Sequence, residues 1–313
     1  MRIRVLGSAA GGGLPQWNCA CAVCREARIE GNVRRQDTVA ISGDGIAWYL
    51  INAAPDVRAG ILSTPELMPG PGPRDTPLRG VLLTTAELDH TLGLLSLREA
   101  VRLSVYATAT VTGALTRAFP ILPTLGRYTC LTTNDLSDLV TLEGGLQVQR
   151  LTVGSRRPRY TDDSASAGDQ GDGRAAPGRS RGAPVDAGQT GRARSARRSG
   201  DAGPGDWVSA LRITDLGTKE VFVYATCLPE WTTSFDAFVD GADDVLLDGT
   251  FGTEDELTAM TGGPGGARST GHLPMDVSRR HAARHPGTRF RFSHLNNTNP
   301  ATGGDIVADG DRF

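Results

Sequence analysis

Three cysteines stand close together near the start of the chain, in the string Cys19-Ala-Cys21-Ala-Val-Cys24. Thiolates at this spacing are typical of a metal site, because structural zinc takes four nitrogen or sulfur ligands in a tetrahedron. The string supplies three ligands, so the fourth must come from elsewhere in the chain. Cys130, Cys227 and the five histidines are the candidates, although an isolated cysteine is more often a small core residue.

A second group of residues with metal-binding chemistry is spread through the rest of the chain. Asp89 and His90 follow the apolar run at 81–83, where a buried strand gives way to a polar turn and a helix. Side chains at the carboxyl end of a strand can converge on a ligand, whereas a lone Asp-His pair also serves as a helix cap. Asp248, His272 and His294 stand in comparable places, in the strings Asp-Gly-Thr-Phe, Gly-His-Leu-Pro and Phe-Ser-His-Leu-Asn-Asn-Thr-Asn-Pro.

These residues need strands and helices to position them, and the hydrophobic pattern indicates both. Helices are predicted at 56–62 and 92–100. Hairpin-like and β–α connections both occur, so the sequence predicts an α/β (α+β) fold with mixed sheets. The predicted strands are short and rich in β-branched residues, at 2–6, 38–42, 46–51, 80–84, 103–106, 146–153, 208–213, 221–224, 245–247 and 289–293.

A glycine-rich segment, Gly7-Ser-Ala-Ala-Gly-Gly-Gly13, follows the first predicted strand. A dinucleotide-binding fingerprint needs its second glycine two residues after the first, and that position is Ala9. We therefore interpret the segment as a tight turn of the backbone rather than a cofactor site.

Charge and hydropathy argue against several classes of protein. The formal net charge is −2 over 313 residues, so no global basic field points to nucleic acid or to an anionic membrane surface. No run of 18 apolar residues occurs, so no membrane-spanning helix is expected. The chain starts with a strand pattern rather than an apolar signal segment, and a cytoplasmic protein is the expectation.

The segment 155–206 differs in composition from the rest of the chain. It consists of Gly, Ala, Arg, Asp, Ser and Pro with almost no large apolar residue. Such a segment cannot bury enough apolar surface to offset the entropy of ordering. We interpret it as a disordered insertion within a single domain that spans 1–313.

The order of these motifs resembles the PqqB family of pyrroloquinoline quinone (PQQ) biosynthesis proteins, in the metallo-β-lactamase superfamily. The strings Leu-Thr-Thr-Ala-Glu-Leu-Asp-His-Thr-Leu-Gly-Leu-Leu-Ser-Leu-Arg-Glu at 83–99 and His-Leu-Asn-Asn-Thr-Asn-Pro at 294–300 are specific. The resemblance implies an αββα sandwich of two mixed sheets flanked by helices, with a metal site at the strand ends. It also makes His272 the best choice for the fourth ligand of a structural zinc on the three clustered cysteines.

The chain departs from the superfamily's two-metal signature, His-x-His-x-Asp-His. The aligned residues are Thr85, Glu87, Asp89 and His90, so both histidines that would hold the first metal are absent. A two-zinc hydrolase is therefore disfavoured. Three roles stay open for Glu87: an additional oxygen ligand of the metal, a catalytic base, or a surface carboxylate.

Asp89, His90 and a late histidine survive from the superfamily's ligand set. The late histidine is His294, with His272 as its competitor. Two histidines and one carboxylate with open positions form the ligand set typical of non-haem Fe(II) oxygenases. Asp248 is expected behind the ligands, orienting a histidine through its second ring nitrogen.

The resemblance implies oxidation chemistry in the making of PQQ. The expected reaction is iron-dependent hydroxylation of the tyrosine ring of a Glu-Tyr unit cut from the precursor peptide PqqA. The expected partners are this PqqA-derived substrate and other PQQ biosynthesis proteins, and a homodimer is an open alternative to a monomer. A carrier that assists transport of PQQ or its precursor to the periplasm is the alternative function, and a metal-dependent hydrolase is a second one.

Overall fold

The computed structural model describes residues 1–136, 139–161, 205–261 and 265–313. Within these ranges the chain forms twelve β-strands, arranged as two six-stranded sheets, and eight α-helices. Each sheet contains both parallel and antiparallel neighbours, which confirms the mixed sheets predicted from the sequence. None of the described helices is long and apolar enough to cross a membrane.

The first sheet takes its strands in chain order. They are β1 (Arg2–Gly7), β2 (Thr38–Ser42), β3 (Trp48–Ile51), β4 (Leu78–Leu82), β5 (Arg102–Ala107) and β6 (Cys130–Asp135). The pairs β1–β2 and β2–β3 are antiparallel, and the pairs from β3 to β6 are parallel. Parallel neighbours need crossover connections, and helices lie in the segments that join them.

The second sheet also has its strands adjacent in chain order. They are β7 (Leu139–Leu142), β8 (Leu146–Gly154), β9 (Val208–Asp215), β10 (Val221–Ala225), β11 (Asp244–Asp248) and β12 (Arg289–Ser293). The pairs from β7 to β10 are antiparallel, whereas β10, β11 and β12 run parallel. The carboxyl ends of these last three strands therefore lie at one edge of the sheet.

The two sheets pack face to face through alternate residues of their strands, because successive side chains on a strand point to opposite faces. Tyr49 and Ile51 of β3 belong to the same buried cluster as Tyr224 of β10. Their sequence neighbours Leu50 and Val223 belong to two other clusters, one on each outer face. Both faces of these strands are thus buried, which explains why the strands read as nearly continuous apolar runs.

Helices cover both outer faces. The outer cluster of the first sheet includes residues of α2, α4 and α5, and that of the second sheet includes residues of α6 and α8. The predicted αββα sandwich is therefore confirmed. The helices are α1 (Ala22–Glu30), α2 (Val57–Leu62), α3 (Leu88–Thr91), α4 (Ala109–Arg117), α5 (Ile121–Leu125), α6 (Thr233–Val239), α7 (Glu256–Thr261) and α8 (Met275–Ala282).

The structure describes part of the predicted insertion at 155–206. Residues 155–161 are described, and they include a short 3₁₀ turn at Arg159–Thr161. The hydroxyl of Tyr160 donates to the carbonyl oxygen of Ala86 at 2.6 Å, next to the loop that carries Asp89 and His90. This segment therefore packs against the strand ends. Residues 205–206 at the other end are described too, and the rest of the predicted insertion, 162–204, lies outside the described ranges.

Candidate active site and metal centres

The polar residues singled out in the sequence lie where parallel strands end. Asp89 and His90 follow β4, Cys227 follows β10, Asp248 ends β11, and His294 follows β12. Ligand sites in open α/β sheets form in crevices beside the carboxyl ends of strands. Four of these five side chains line one cavity of about 610 Å³, and Asp248 lies directly behind its wall.

His90 lies in α3 with its side chain buried. Its Nδ1 is 2.8 Å from Oγ1 of Thr85. Its Nε2 is buried and has no hydrogen-bond partner among the described residues. Burial lowers the pKa of this imidazole, although the charge of Asp89 opposes the shift. The lowered pKa favours the uncharged ring, and one ring nitrogen has no partner and is open to a ligand.

His294 is the first residue after β12 and has a left-handed backbone, with φ of 60°. Non-glycine residues in this region are strained, and such residues cluster at functional sites. Its Nδ1 lies 2.9 Å from Oγ1 of Thr250, and its buried Nε2 lies 3.5 Å from Oδ2 of Asp89. Burial alone would lower the pKa of this imidazole, but Asp89, Asp37 and Asp248 raise it to about 9.

The structure brings together Asp89, His90 and His294, the three residues predicted to hold iron. The two imidazole rings meet edge to face, with centres 5.4 Å apart. Burial would raise the pKa of Asp89, but the neighbouring histidines hold it well below its usual range. Gly11 permits the close approach of the glycine-rich turn, since a Cβ there would lie 3.0 Å from Oδ2 of Asp89.

His272 and Asp248 form a hydrogen-bonded pair beside these ligands. Nδ1 of His272 is 2.8 Å from Oδ2 of Asp248 and 3.0 Å from Oγ1 of Thr250. Asp248 is fully buried and also accepts the backbone N–H groups of Leu228 and Thr250. Burial would raise the pKa of Asp248, but the charges of His272 and His294 lower it. Asp248 is thus placed to orient His272, which is the kind of support that ligating histidines receive.

The three clustered cysteines form another group, next to the turn that follows β12. The sulfur atoms of Cys19, Cys21 and Cys24 all lie within 4.8 Å of one another. Nδ2 of Asn297 is 3.2 Å from the sulfur of Cys19 and 3.4 Å from that of Cys24. The backbone N–H of Cys21 lowers the pKa of the Cys19 thiol, whereas burial raises that of Cys21.

The arrangement does not place His272 with the cysteines. Its ring stacks on that of His294 with centres 5.6 Å apart, and it lines the cavity. The hydrogen bond to Asp248 holds it there. The expected role of His272 as fourth zinc ligand is therefore not supported, and the residue next to the cysteines is Asn297. Sequence spacing could not show this, because it does not say towards which loop a side chain turns.

Glu87 and Arg156 place opposite charges on the cavity wall. Burial and the charge of Asp89 raise the pKa of Glu87, and Arg156 opposes this shift. Arg156 packs over Gly271, where a Cβ would lie 3.1 Å from the arginine Cδ. Its guanidinium makes no hydrogen bond or ion pair with the described residues, so it is available to an anionic ligand.

A buried carboxylate behind the cavity was not anticipated from the sequence. Asp37 accepts hydrogen bonds from the hydroxyls of Tyr224, Thr226 and Ser293. Ser293 precedes His294, so this network joins the ends of β10 and β12 beneath the site. A carboxylate surrounded by hydroxyls in this way has no local sequence signature, because its partners come from the ends of two distant strands, β10 and β12.

The two hydroxyls that support the histidines were also missed. Thr85 and Thr250 each place Oγ1 within 3.0 Å of a ligand candidate's Nδ1. Thr85 could have been recognised as a site residue from the sequence, because it stands where the superfamily signature has a histidine. Thr250 lies in the Asp248-Gly-Thr-Phe string, but only the folded chain shows that it serves His294.

The donor sets fit metal ions. A buried imidazole nitrogen without a partner costs about 1–3 kcal/mol, and Nε2 of His90 is such an atom within the described part of the chain. Nε2 of His294 makes no hydrogen bond there and has only its ion pair with Asp89 at 3.5 Å. A metal bound by both nitrogens and by Asp89 would remove that penalty. Three adjacent thiols likewise supply most of a tetrahedral zinc site.

Comparisons with known proteins agree with this architecture. A family model described as a beta-lactamase superfamily domain matches residues 47–174. Coenzyme PQQ synthesis protein B of Bradyrhizobium diazoefficiens is 36% identical over 307 residues, covering 96% of this chain and 91% of that protein. The protein of the same name from Pseudomonas aeruginosa is also 36% identical, with the same coverage.

Among solved structures, the crystal structure of Zn²⁺-bound PqqB from Methylobacterium extorquens is similar over the whole chain. Its TM-score is 0.78 at 26% sequence identity, covering 100% of this chain and 99% of that one. The fold, the order of motifs and the extent of these matches agree. The chain therefore belongs to the family of coenzyme PQQ synthesis protein B, within the β-lactamase superfamily.

Proposed function

We propose that this protein acts in PQQ biosynthesis as an iron- and O₂-dependent hydroxylase of the tyrosine ring in a Glu-Tyr unit derived from PqqA. The observation that carries the proposal is the convergence of Asp89, His90 and His294 on one cavity. Thr85 and Glu87 stand in place of the two missing superfamily histidines. The remaining ligands suit a single non-haem iron with open positions.

Bound iron would supply the redox chemistry that O₂ activation requires. The overall reaction places one oxygen atom in an aryl C–H bond and releases the other as water, with two electrons from an external reductant such as ascorbate. Asp89, His90 and His294 would hold the metal. Thr85 and Thr250 would fix the two imidazoles through their Nδ1 atoms, leaving each Nε2 directed to the ligand.

The cavity wall supports recognition of a small acidic aromatic substrate. Its volume of about 610 Å³ falls within the range of typical small-molecule sites. Arg156 offers a guanidinium that has no ion pair among the described residues, and Glu-Tyr carries two carboxylates that such a group binds well. Glu87, with its raised pKa, is placed to exchange a proton with the phenol. The buried ring of Phe251 adds an apolar surface to the wall.

We further propose a structural zinc on Cys19, Cys21 and Cys24. The close grouping of their sulfur atoms supports it. The related protein from Methylobacterium extorquens was crystallised in a Zn²⁺-bound form, which supports zinc as a metal for this family. The fourth position lies beside Asn297. In this proposal the protein works in the cytoplasm with the other PQQ biosynthesis proteins, as expected from the sequence.

Oxygen uptake with Glu-Tyr tests the proposed reaction. Protein loaded with Fe(II) without oxygen is mixed with Glu-Tyr, ascorbate and O₂, and the product mass is followed. We expect O₂ uptake and a product heavier by one oxygen atom, both abolished in H90A and H294A. The variant H281A is the matched control, because His281 lies on α8 outside the cavity.

Two other outcomes would redirect the assignment. If the parent protein neither consumes O₂ nor changes Glu-Tyr but binds PQQ, a carrier function replaces the hydroxylase. If zinc- or manganese-loaded protein cleaves phosphodiesters and H90A does not, a hydrolase function replaces it.

A further inference from the structure

We propose that Cys227 is an additional metal ligand at the catalytic site, acting with His90 and His294. One ligand atom from each of these residues lies within 4.8 Å of the other two. Both histidines have a buried Nε2 with no hydrogen-bond partner in the described part of the chain. The inference rests only on the metal-binding half of the proposed function and not on the hydroxylation.

The position of Cys227 is fixed by its two neighbours. Thr226 donates its hydroxyl to the buried carboxylate of Asp37 at 2.7 Å. The backbone N–H of Leu228 donates to Oδ2 of Asp248 at 2.8 Å. The residues in both hydrogen bonds are buried, so the backbone around Cys227 is fixed before a metal binds. Preorganisation of this kind is what a ligand position requires.

Cys227 also differs from a cysteine that merely fills the core. It is only half-buried and lines the cavity, whereas Leu228 beside it is fully buried. Within the described ranges it is the one cysteine on the cavity wall. From the sequence, Cys227 is only a possible fourth ligand of the zinc on the clustered cysteines and more often a small core residue, because a lone cysteine after a strand does not indicate a second metal site.

A thiolate changes what the site prefers. A coordinated thiol is deprotonated, so the sulfur would bring a negative charge and a soft donor to the two imidazoles. Zinc is bound well by mixed sulfur and nitrogen ligands, whereas carboxylate and imidazole alone suit non-haem iron. Cys227 would therefore strengthen zinc binding relative to iron at the catalytic position.

Cobalt substitution tests metal ligation by Cys227 directly, because thiolate-bound Co(II) has a near-ultraviolet charge-transfer band. Apoprotein is titrated with Co(II) without oxygen, and the spectrum added by the second equivalent is measured. The cysteines near the N-terminus contribute equally in every variant. We expect the second equivalent to add a sulfur-to-cobalt band in the parent and in the control C130S. Cys130 is exposed and lies outside the cavity.

In C227S that added band should vanish. Binding of the second cobalt should weaken by more than the about 10- to 100-fold that loss of an outer-shell partner costs. If the second equivalent of Co(II) adds the same spectrum in C227S as in the parent, Cys227 is not a ligand, and the metal site on the histidines is unaffected by that result. Absence of a second equivalent in the parent would overturn both this inference and the metal site of the proposed function.

A second measurement needs no variant, which guards against misfolding of C227S. The parent is treated with iodoacetamide before and after the second equivalent of Co(II), and the modified cysteines are mapped by peptide mass. Burial raises the pKa of the Cys227 thiol, so labelling is followed as a rate under mildly alkaline conditions, and we expect the rate for Cys227 to be at least about tenfold lower with two equivalents than with one. Equal labelling in the two states would contradict ligation by Cys227.

Discussion

Thr85 stands where the superfamily signature has a histidine, and its hydroxyl supports His90 instead of binding a metal itself. Oγ1 lies 2.8 Å from Nδ1 of His90 and also accepts the backbone N–H of Glu87 at 3.1 Å. The residue is 2% exposed. Thr85→Val keeps the shape of the side chain and removes only the hydroxyl, so it isolates this support.

The expected size of the effect follows from these contacts. Loss of an outer-shell partner of a ligating histidine costs about 10- to 100-fold in metal affinity, or about 1.4–2.7 kcal/mol. The buried His90 nitrogen also loses its partner in the apoprotein, which should lower the free energy of unfolding by about 1–3 kcal/mol. Thr85→Ser keeps the hydroxyl and should recover most of both losses.

The assay is a chelator-competition titration of the second metal equivalent, with thermal unfolding of the apoprotein measured in parallel. Thr116→Val is the control, because Thr116 is an exposed residue of α4 whose hydroxyl donates to the carbonyl oxygen of Thr112. If T85V binds the second metal as tightly as the parent, the hydroxyl does not orient His90. If T85S is as weak as T85V, the effect comes from packing rather than from the hydrogen bond.

Three further predictions follow from the same contacts. Gly11→Ala should place a methyl group 3.0 Å from Oδ2 of Asp89 and lower the affinity for the second metal ion, while the melting temperature changes little. An unchanged metal affinity would show that the glycine-rich turn does not restrict the Asp89 carboxylate. Arg156→Ala should raise KM for Glu-Tyr much more than it lowers kcat. Tyramine, which has no carboxylate, should be turned over equally by the parent and the variant. An unchanged KM for Glu-Tyr would show that Arg156 does not bind the substrate. Cys21→Ser should lose zinc and lower the free energy of unfolding by about 3 kcal/mol or more, since metal-binding energy is folding energy in such sites. Full zinc content with an unchanged melting temperature would contradict a structural zinc.

Much of the sheet architecture could be predicted from the sequence, because its strands are buried on both faces and read as clear apolar runs. The predicted bounds of β2 and β12 match the structure, and the other predicted strands differ by one or two residues at an end. The strands β6 and β7 were not predicted. The short helices α1, α4, α5, α6 and α7 were missed, since five to nine residues give too few turns for a distinct period. Their ends are set by packing on the sheets rather than by local sequence.

The site was predictable only in part, for a physical reason. Asp89, His90 and His294 follow recognisable strand ends, and parallel strands bring such ends together. His272 lies in a loop, and its position depends on the hydrogen bond to Asp248, which sequence spacing cannot reveal. The same holds for Cys227, whose neighbours are anchored by carboxylates from two other strands.

The metal content of protein purified and reconstituted without oxygen tests the iron site most directly. Parent protein with zinc on its cysteine cluster is incubated with Fe(II), desalted and analysed by mass spectrometry, alongside H90A, H294A and the control H281A. Parent and H281A should retain one iron per chain, and H90A and H294A should retain little. Two irons per chain in the parent, or the same iron content in H294A as in the parent, would contradict a single iron held by Asp89, His90 and His294.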